Sequence, residues 1–138
     1  MKRRTPVSEI MSKNIIALDR EDDLQRAEML FKTHHIHHIP VVSEEYIIGM
    51  LSYTDLLRIS FADVTEDDKN VGSVIYNMFT IEQVMTKNIE SVSSKTTIKE
   101  VAEILAEKEF HALPVVDDNQ LVGIVTTTDL MKYLLKQF

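Results

Sequence analysis

Apolar and polar positions along the chain fall into short patterned runs, and the same pattern occurs twice. Asn14-Ile15-Ile16-Ala17-Leu18 is a short apolar segment and predicts a strand. Asp22 and Asp23 follow in the first copy, Thr96 and Thr97 in the second, all suited to cap a helix N-terminus. Behind them Leu24, Ala27, Leu30 and Phe31 recur at spacings of three and four, as do Ile98, Val101, Ile104 and Leu105. Each set marks one face of an amphipathic helix. Ile39-Pro40-Val41-Val42, a polar turn at Ser43-Glu44-Glu45 or Asp117-Asp118-Asn119, and the runs 46–51 and 120–125 then predict a hairpin. Pro40 and Pro114 cannot donate to a ladder, which predicts a place at a strand start for both. A second helix is predicted from near Thr54 and from near Thr128.

The two copies are related by one shift. Moving 74 residues takes Met11 to Met85, His37 to His111, Pro40 to Pro114, Gly49 to Gly123 and Asp55 to Asp129. The register holds without insertion from 7–59 to 81–133, which marks a duplication. The expected organisation is a first repeat at 7–60, an acidic linker and connecting helix at 61–80, and a second repeat at 81–138. Within the middle segment Asp63 to Lys69 is the linker, and Val71, Val74, Ile75, Met78 and Phe79 form a helical stripe. The last helix carries Leu130, Met131, Leu134, Leu135 and Phe138 on one face, as core or as a dimer contact. The fold class is α+β, a tandem pair of β-α-β-β-α repeats with pseudo-two-fold symmetry.

Composition narrows the function. The net charge of −7 disfavours phosphate backbones and anionic lipid, so neither nucleic acid nor a membrane is an expected partner. Lys2, Arg3 and Arg4 read as a solubilising end. The N-terminus has no apolar stretch behind those charges, so it does not read as a secretory signal. No run approaches the roughly twenty apolar residues of a membrane span. Cysteine is absent, which removes disulfides and thiolate metal sites and fits a cytoplasmic protein.

Three elements recur in order in both copies: Met11-Ser12 or Met85-Thr86, the run 39–42 or 113–116, and a closing Gly-x-x-Ser/Thr-x-x-Asp. The closing motif runs from Gly49 through Ser52 to Asp55 and from Gly123 through Thr126 to Asp129. In this the chain resembles the CBS-domain pair, or Bateman module, over nearly its whole length. The resemblance implies a stand-alone regulatory module in which AMP, ADP, ATP or S-adenosylmethionine binds in clefts between the repeats. It assigns the ribose hydroxyls to Asp55 and Asp129, with Ser52, Thr54, Thr126 and Thr128 near the sugar or phosphate. It lines the adenine pockets with Asn14, Ile15, Ile16, Ile36, His37 and Ile39 beside Pro40, and with Asn88, Ile89, Phe110, His111 and Leu113 beside Pro114. It also implies a homodimer acting on a protein partner.

The chemistry is sound apart from the resemblance. An ionised carboxylate accepts both hydrogen bonds of a vicinal diol. In the first turn of a helix its charge is stabilised, and free backbone N–H groups lie near an incoming phosphate. Gly49 and Gly123 would admit a ligand or a neighbouring strand. The family often places a basic residue two before the Pro; here His38 stands in the first copy and Ala112 in the second, so Arg58 and Lys132 are the candidate replacements.

Two other readings stand beside this one. Ser52-x-x-Asp55 and Thr126-x-x-Asp129 are also capping boxes, which need no ligand and suit an interaction or oligomerisation module. His34, His35, His37 and His38 could sense a metal if the helix carried His34 and His38 at i, i+4. No metal site and no cofactor is expected. No nucleophile pair, phosphate loop or carboxylate dyad stands at diagnostic spacing, so no enzyme activity is expected.

Overall fold

A computed structural model describes residues 4–62, 78–108 and 111–138, with the side chains of 60–62 left aside. The linker at Asp63 to Lys69, the stripe residues Val71, Val74 and Ile75, and Phe110 lie outside the described residues. The fold is mixed α/β, and the chain divides into two compact units: 16–89, and 1–15 together with 90–138.

The unit 16–89 contains β1 (Leu18–Asp19), α1 (Leu24–His34), β2 (His38–Ser43), β3 (Tyr46–Ser52), α2 (Tyr53–Ala62) and α3 (Ile81–Val84). Asp23 caps α1 by accepting from the Arg26 N–H, and Leu24, Ala27, Leu30 and Phe31 are its buried face. That face packs on Leu18, Ile39, Val41 and Leu51 from the sheet, with Leu56 of α2 and Ile81 of α3. β1 runs parallel to β2, with Leu18 opposite Val41, and β2 pairs antiparallel with β3 across a bulge at Val41/Val42. Buried aliphatic side chains of this size contribute about 1.5–3 kcal/mol each.

The other unit repeats the plan. A 3-10 turn (Val7–Glu9) precedes α4 (Ile98–Glu107), β4 (Ala112–Asp117), β5 (Gln120–Thr126) and α5 (Thr127–Leu135). Thr97 caps α4, which buries Ile98, Val101 and Leu105. Val7, Val92, Leu113, Val115 and Val125 complete that core. Asp118 and Asn119 both take positive φ, 50° and 67°, as a two-residue hairpin turn of primed type requires.

The sequence repeats and the compact units divide the chain differently. The chain passes from one unit to the other at 15/16 and again at 89/90, the same repeat position 74 residues apart. Each opening segment is thereby joined to the hairpin of the other repeat. Ser12 and Ile124 exchange backbone hydrogen bonds of 2.8 and 3.1 Å, and Met50 and Thr86 do so at 3.0 and 2.8 Å. This explains why, of the predicted strand 14–18, only Leu18 lies in a strand, Leu18–Asp19: its first residues carry the chain between units.

The prolines also differ from expectation. Pro40 and Pro114 are each the third residue of their strand, not the first. On the outer edge of β4, the Pro114 carbonyl accepts from Val92 N–H and Val116 N–H donates to Val92 O. The Pro114 nitrogen faces that same edge one step before the bridge, where no donor is required. The short helix α3, with a full capping box of Thr80 and Gln83, is an element the hydrophobic pattern did not mark.

One junction gives a pH prediction. The Ser94 hydroxyl donates to Asp117 Oδ2 at 2.6 Å and its N–H to Oδ1 at 3.0 Å. These two bonds hold the Asp117 carboxyl below its ordinary value. A group depressed on folding stabilises the fold above its unfolded pKa, about 3.9, and loses that contribution as pH falls through the lower folded value. Wild type is therefore expected to melt higher than Asp117→Asn at neutral pH, with the gap closing in acid below about pH 4, as followed by circular dichroism.

Candidate functional site

The two closing motifs fold alike. Ser52 Oγ accepts from the Asp55 N–H at 3.0 Å, and Asp55 Oδ2 accepts from the Ser52 N–H at 3.1 Å. In the second copy Thr126 and Asp129 make the same pair of bonds, 3.1 and 2.9 Å. The capping boxes are therefore formed. One oxygen of each carboxylate is held by backbone at the mouth of α2 or α5, which fixes the direction of the other. In the first copy that other oxygen, Oδ1, lies 3.8 Å from the Arg58 guanidinium, a loose contact because Arg58 is 77% exposed. Among the described residues Lys132 forms no ion pair, so the two copies differ at the candidate phosphate cation.

The helix mouth is tied to the strand that carries the histidines. Tyr53 N–H donates to the His37 carbonyl at 2.9 Å, and Thr127 N–H donates to the His111 carbonyl at 3.0 Å. His37 and His111 are exposed, as are Thr54 and Thr128, while Ser52, Asp55, Thr126 and Asp129 are half-buried. Ile39 and Leu113 lie in the cores with 0% and 1% exposure, and Pro40 and Pro114 are also buried. These four offer a ligand backbone rather than side-chain surface. Ile36, His38 and Ala112 are half-buried.

The opening segments are distributed otherwise than the sequence grouping expects. Asn14 and Ile15 belong to the unit of the second hairpin, and Ile16, Asn88 and Ile89 to that of the first. The crossing of the chain at 15/16 and 89/90 is the reason. Asn88 takes a left-handed φ of 54°, which Asn tolerates better than most residues. The close approach at the two glycines is made by the protein itself. A Cβ on Gly49 would meet the Met85 thioether and the Thr86 carbonyl, and one on Gly123 the Met11 side chain.

The histidine cluster does not form a helical pair. α1 ends at His34, His35 is its left-handed C-cap, and His38 opens β2. Among the described residues no group of three His, Cys, Asp or Glu is arranged to hold a metal ion. The i, i+4 pairing that a metal at His34 and His38 would need is thus not made, because the helix ends at His34, within the cluster.

The unit 16–89 contains a cleft of about 410 Å³ lined by Phe31, Lys32, His35, Ile36, His37 and Tyr53. Tyr53 stacks on Phe31 with ring centroids 5.4 Å apart, and lies 6.5 Å from the His37 ring. Of the residues expected at a site, this cleft brings together Ile36 and His37. The sequence pattern marks Phe31 only as a core position and His35 only as part of the histidine cluster, and it does not single out Lys32 or Tyr53. The signal was present: at the matching positions of the second copy stand Leu105, Ala106, Glu109 and Thr127.

A duplicated hairpin-and-helix unit, closing each time on a self-capped acidic helix start, defines a tandem α+β domain pair. The family of the CBS domain matches residues 7–62 and again 81–136, and the chain belongs to that family. It is 29% identical over 130 residues to the MJ1225 protein of Methanocaldococcus jannaschii, covering 94% of this chain and 42% of that protein. It is 27% identical over 124 residues to the CBS domain-containing protein YhcV of Bacillus subtilis, covering 90% and 81%. The chain thus spans less than half of the first relative and most of the second. Among solved structures it is similar to the CBS domain pair of protein MJ0100 in complex with 5′-methylthioadenosine and S-adenosyl-L-methionine. That likeness has a TM-score of 0.79 and 26% identity, and covers 97% of this chain and 98% of that one. Among the described residues no helix is long and apolar enough to cross a membrane.

Proposed function

We propose that this CBS pair is a non-catalytic regulatory module that senses an adenosine compound: AMP, ADP, ATP or S-adenosylmethionine. The observation that carries the reading is the carboxylate at the start of α2 and of α5. Asp55 and Asp129 are each anchored through one oxygen, which leaves the group oriented to accept from a ribose diol. The related pair that holds 5′-methylthioadenosine and S-adenosyl-L-methionine supports the adenosine part of the reading. Binding would favour one state of the molecule and so change what it presents to a protein partner. The test is a thermal-shift panel with these compounds. A ligand at 100 times its dissociation constant adds about 2.7 kcal/mol, and loss of that shift in Asp55→Ala or Asp129→Ala assigns it to these carboxylates.

A ligand-free interaction module is the second reading, favoured by the completed capping boxes. Under it no adenosine compound shifts the melting temperature, and Asp129→Ala lowers stability by only about 1 kcal/mol.

The module acts as a cytoplasmic homodimer in this proposal. Met131, Leu134, Leu135 and Phe138 are 59%, 45%, 72% and 100% exposed, an apolar surface for a second copy. Leu135→Asp is expected to weaken self-association at least about tenfold, roughly 1.4 kcal/mol, in sedimentation equilibrium. A monomeric wild type at the same concentrations would refute the dimer.

A further inference from the structure

Four of the six residues that line the cleft at the end of α1 are replaced by residues of other chemistry in the second repeat. Where the first copy has Phe31, Lys32, His35 and Tyr53, the second has Leu105, Ala106, Glu109 and Thr127. The rings of Phe31 and Tyr53 and the basic side chains of Lys32 and His35 are thereby particular to the first copy, whereas His37 recurs as His111 and Ile36 is matched by Phe110. Basic residues at a helix C-terminus complement its dipole, which accounts for Lys32 and His34 without a ligand. The dipole does not account for the ring series Phe31, Tyr53 and His37, in which Tyr53 and His37 line an open cleft of about 410 Å³, within the size range of small-molecule sites. Nor does it account for the sign. In a chain of net charge −7, this cleft is lined by Lys32 and by imidazoles, with no carboxylate among its lining residues. Glu28 does pair with Lys32, at 3.3 Å, but Lys32 is 65% exposed there, and such surface pairs are weak enough for an anion to replace.

We propose that this cleft makes the first repeat the half that selects the ligand: it takes a planar aromatic group bearing negative charge, the ring against Tyr53 and His37 and the charge toward Lys32 and His35. The proposal rests on the adenosine-sensing reading and narrows it to a phosphorylated nucleoside taken by one repeat. Two substitutions give the first cleft the residues of the second, Tyr53→Thr and Lys32→Ala. Calorimetric titration of the full chain with AMP and with adenosine is the experiment, with melting curves to show that each variant is folded. Wild type is expected to bind AMP about tenfold more tightly than adenosine. Lys32→Ala, at an exposed position, lowers AMP affinity about tenfold and adenosine affinity less than twofold. Tyr53→Thr weakens both about tenfold, as loss of a stacking ring does. If AMP binds wild type and both variants equally while Asp55→Ala abolishes binding, the cleft proposal is overturned and the sensing reading stands. If neither AMP nor adenosine binds wild type, the sensing reading fails and the cleft is judged with anilinonaphthalene sulfonate, an aromatic anion. Enhanced probe fluorescence that falls in both variants sustains the cleft; equal fluorescence overturns it.

Discussion

Asp55→Ala is expected to reduce binding of the adenosine ligand to below detection in calorimetry while the protein stays folded. The two effects separate because the carboxylate has two jobs. Oδ2 accepts from the Ser52 N–H, and losing that bond takes away one helix cap, about 1 kcal/mol. The ligand uses the carboxylate as a charged acceptor for two hydroxyl donors, for which alanine has no substitute. Asp55→Asn divides the jobs further: its amide oxygen still caps, so stability is nearly kept, but the charge is gone and affinity falls at least about tenfold. Equal losses of stability and of binding in the two variants would mean that Asp55 acts only through the fold. Asp129→Ala, with the same cap geometry, reports on the second repeat separately.

Gly49→Ala is expected to destabilise the protein by about 2–3 kcal/mol, the upper part of the overpacking range, and Gly123→Ala by about 1 kcal/mol. Both glycines are buried, and neither has a positive φ, so the effect is one of space alone. The new methyl at 49 lies against the Met85 thioether and 2.9 Å from the Thr86 carbonyl oxygen. That carbonyl accepts from the Met50 N–H at 3.0 Å, and Thr86 N–H donates back at 2.8 Å, so the backbone cannot retreat without breaking this bridge of two hydrogen bonds. At 123 the nearest atoms all belong to the flexible Met11 side chain: Sδ at 2.5 Å, Cγ at 3.0 Å and Cε at 3.1 Å. A methionine in that place can turn aside. Shortening Met11 should therefore rescue Gly123→Ala, whereas shortening Met85 should rescue Gly49→Ala only in part, as read from urea midpoints of the single and double variants.

Much of this fold is legible from residue spacing. Leu24, Ala27, Leu30 and Phe31 are buried where a helical period places them, and Asp23 and Thr97 cap the helices they precede. Local chemistry decides these features, and local chemistry is what a single sequence displays. The exchange of opening segments is not local: whether Met11 packs on Gly49 or on Gly123 depends on where the chain crosses, and periodicity carries no such information. The same crossing leaves only Leu18 of the strand predicted over 14–18 in a strand, Leu18–Asp19. At the candidate site the carboxylates and their caps were readable from Ser52-x-x-Asp55 and Thr126-x-x-Asp129. The aromatic cleft was not, because Phe31 reads as one more core position until Tyr53 is seen stacked on it. Comparing the two copies for differences, rather than for identities, would have pointed to positions 32 and 53.

The most direct measurement is calorimetric titration of the full chain with AMP, ADP, ATP and S-adenosylmethionine in turn. Binding of one of them that saturates, and that Asp55→Ala removes, is the predicted result. Absence of any saturable heat up to millimolar concentration of all four would contradict the account and leave a protein-interaction module whose Asp55 and Asp129 serve as helix caps.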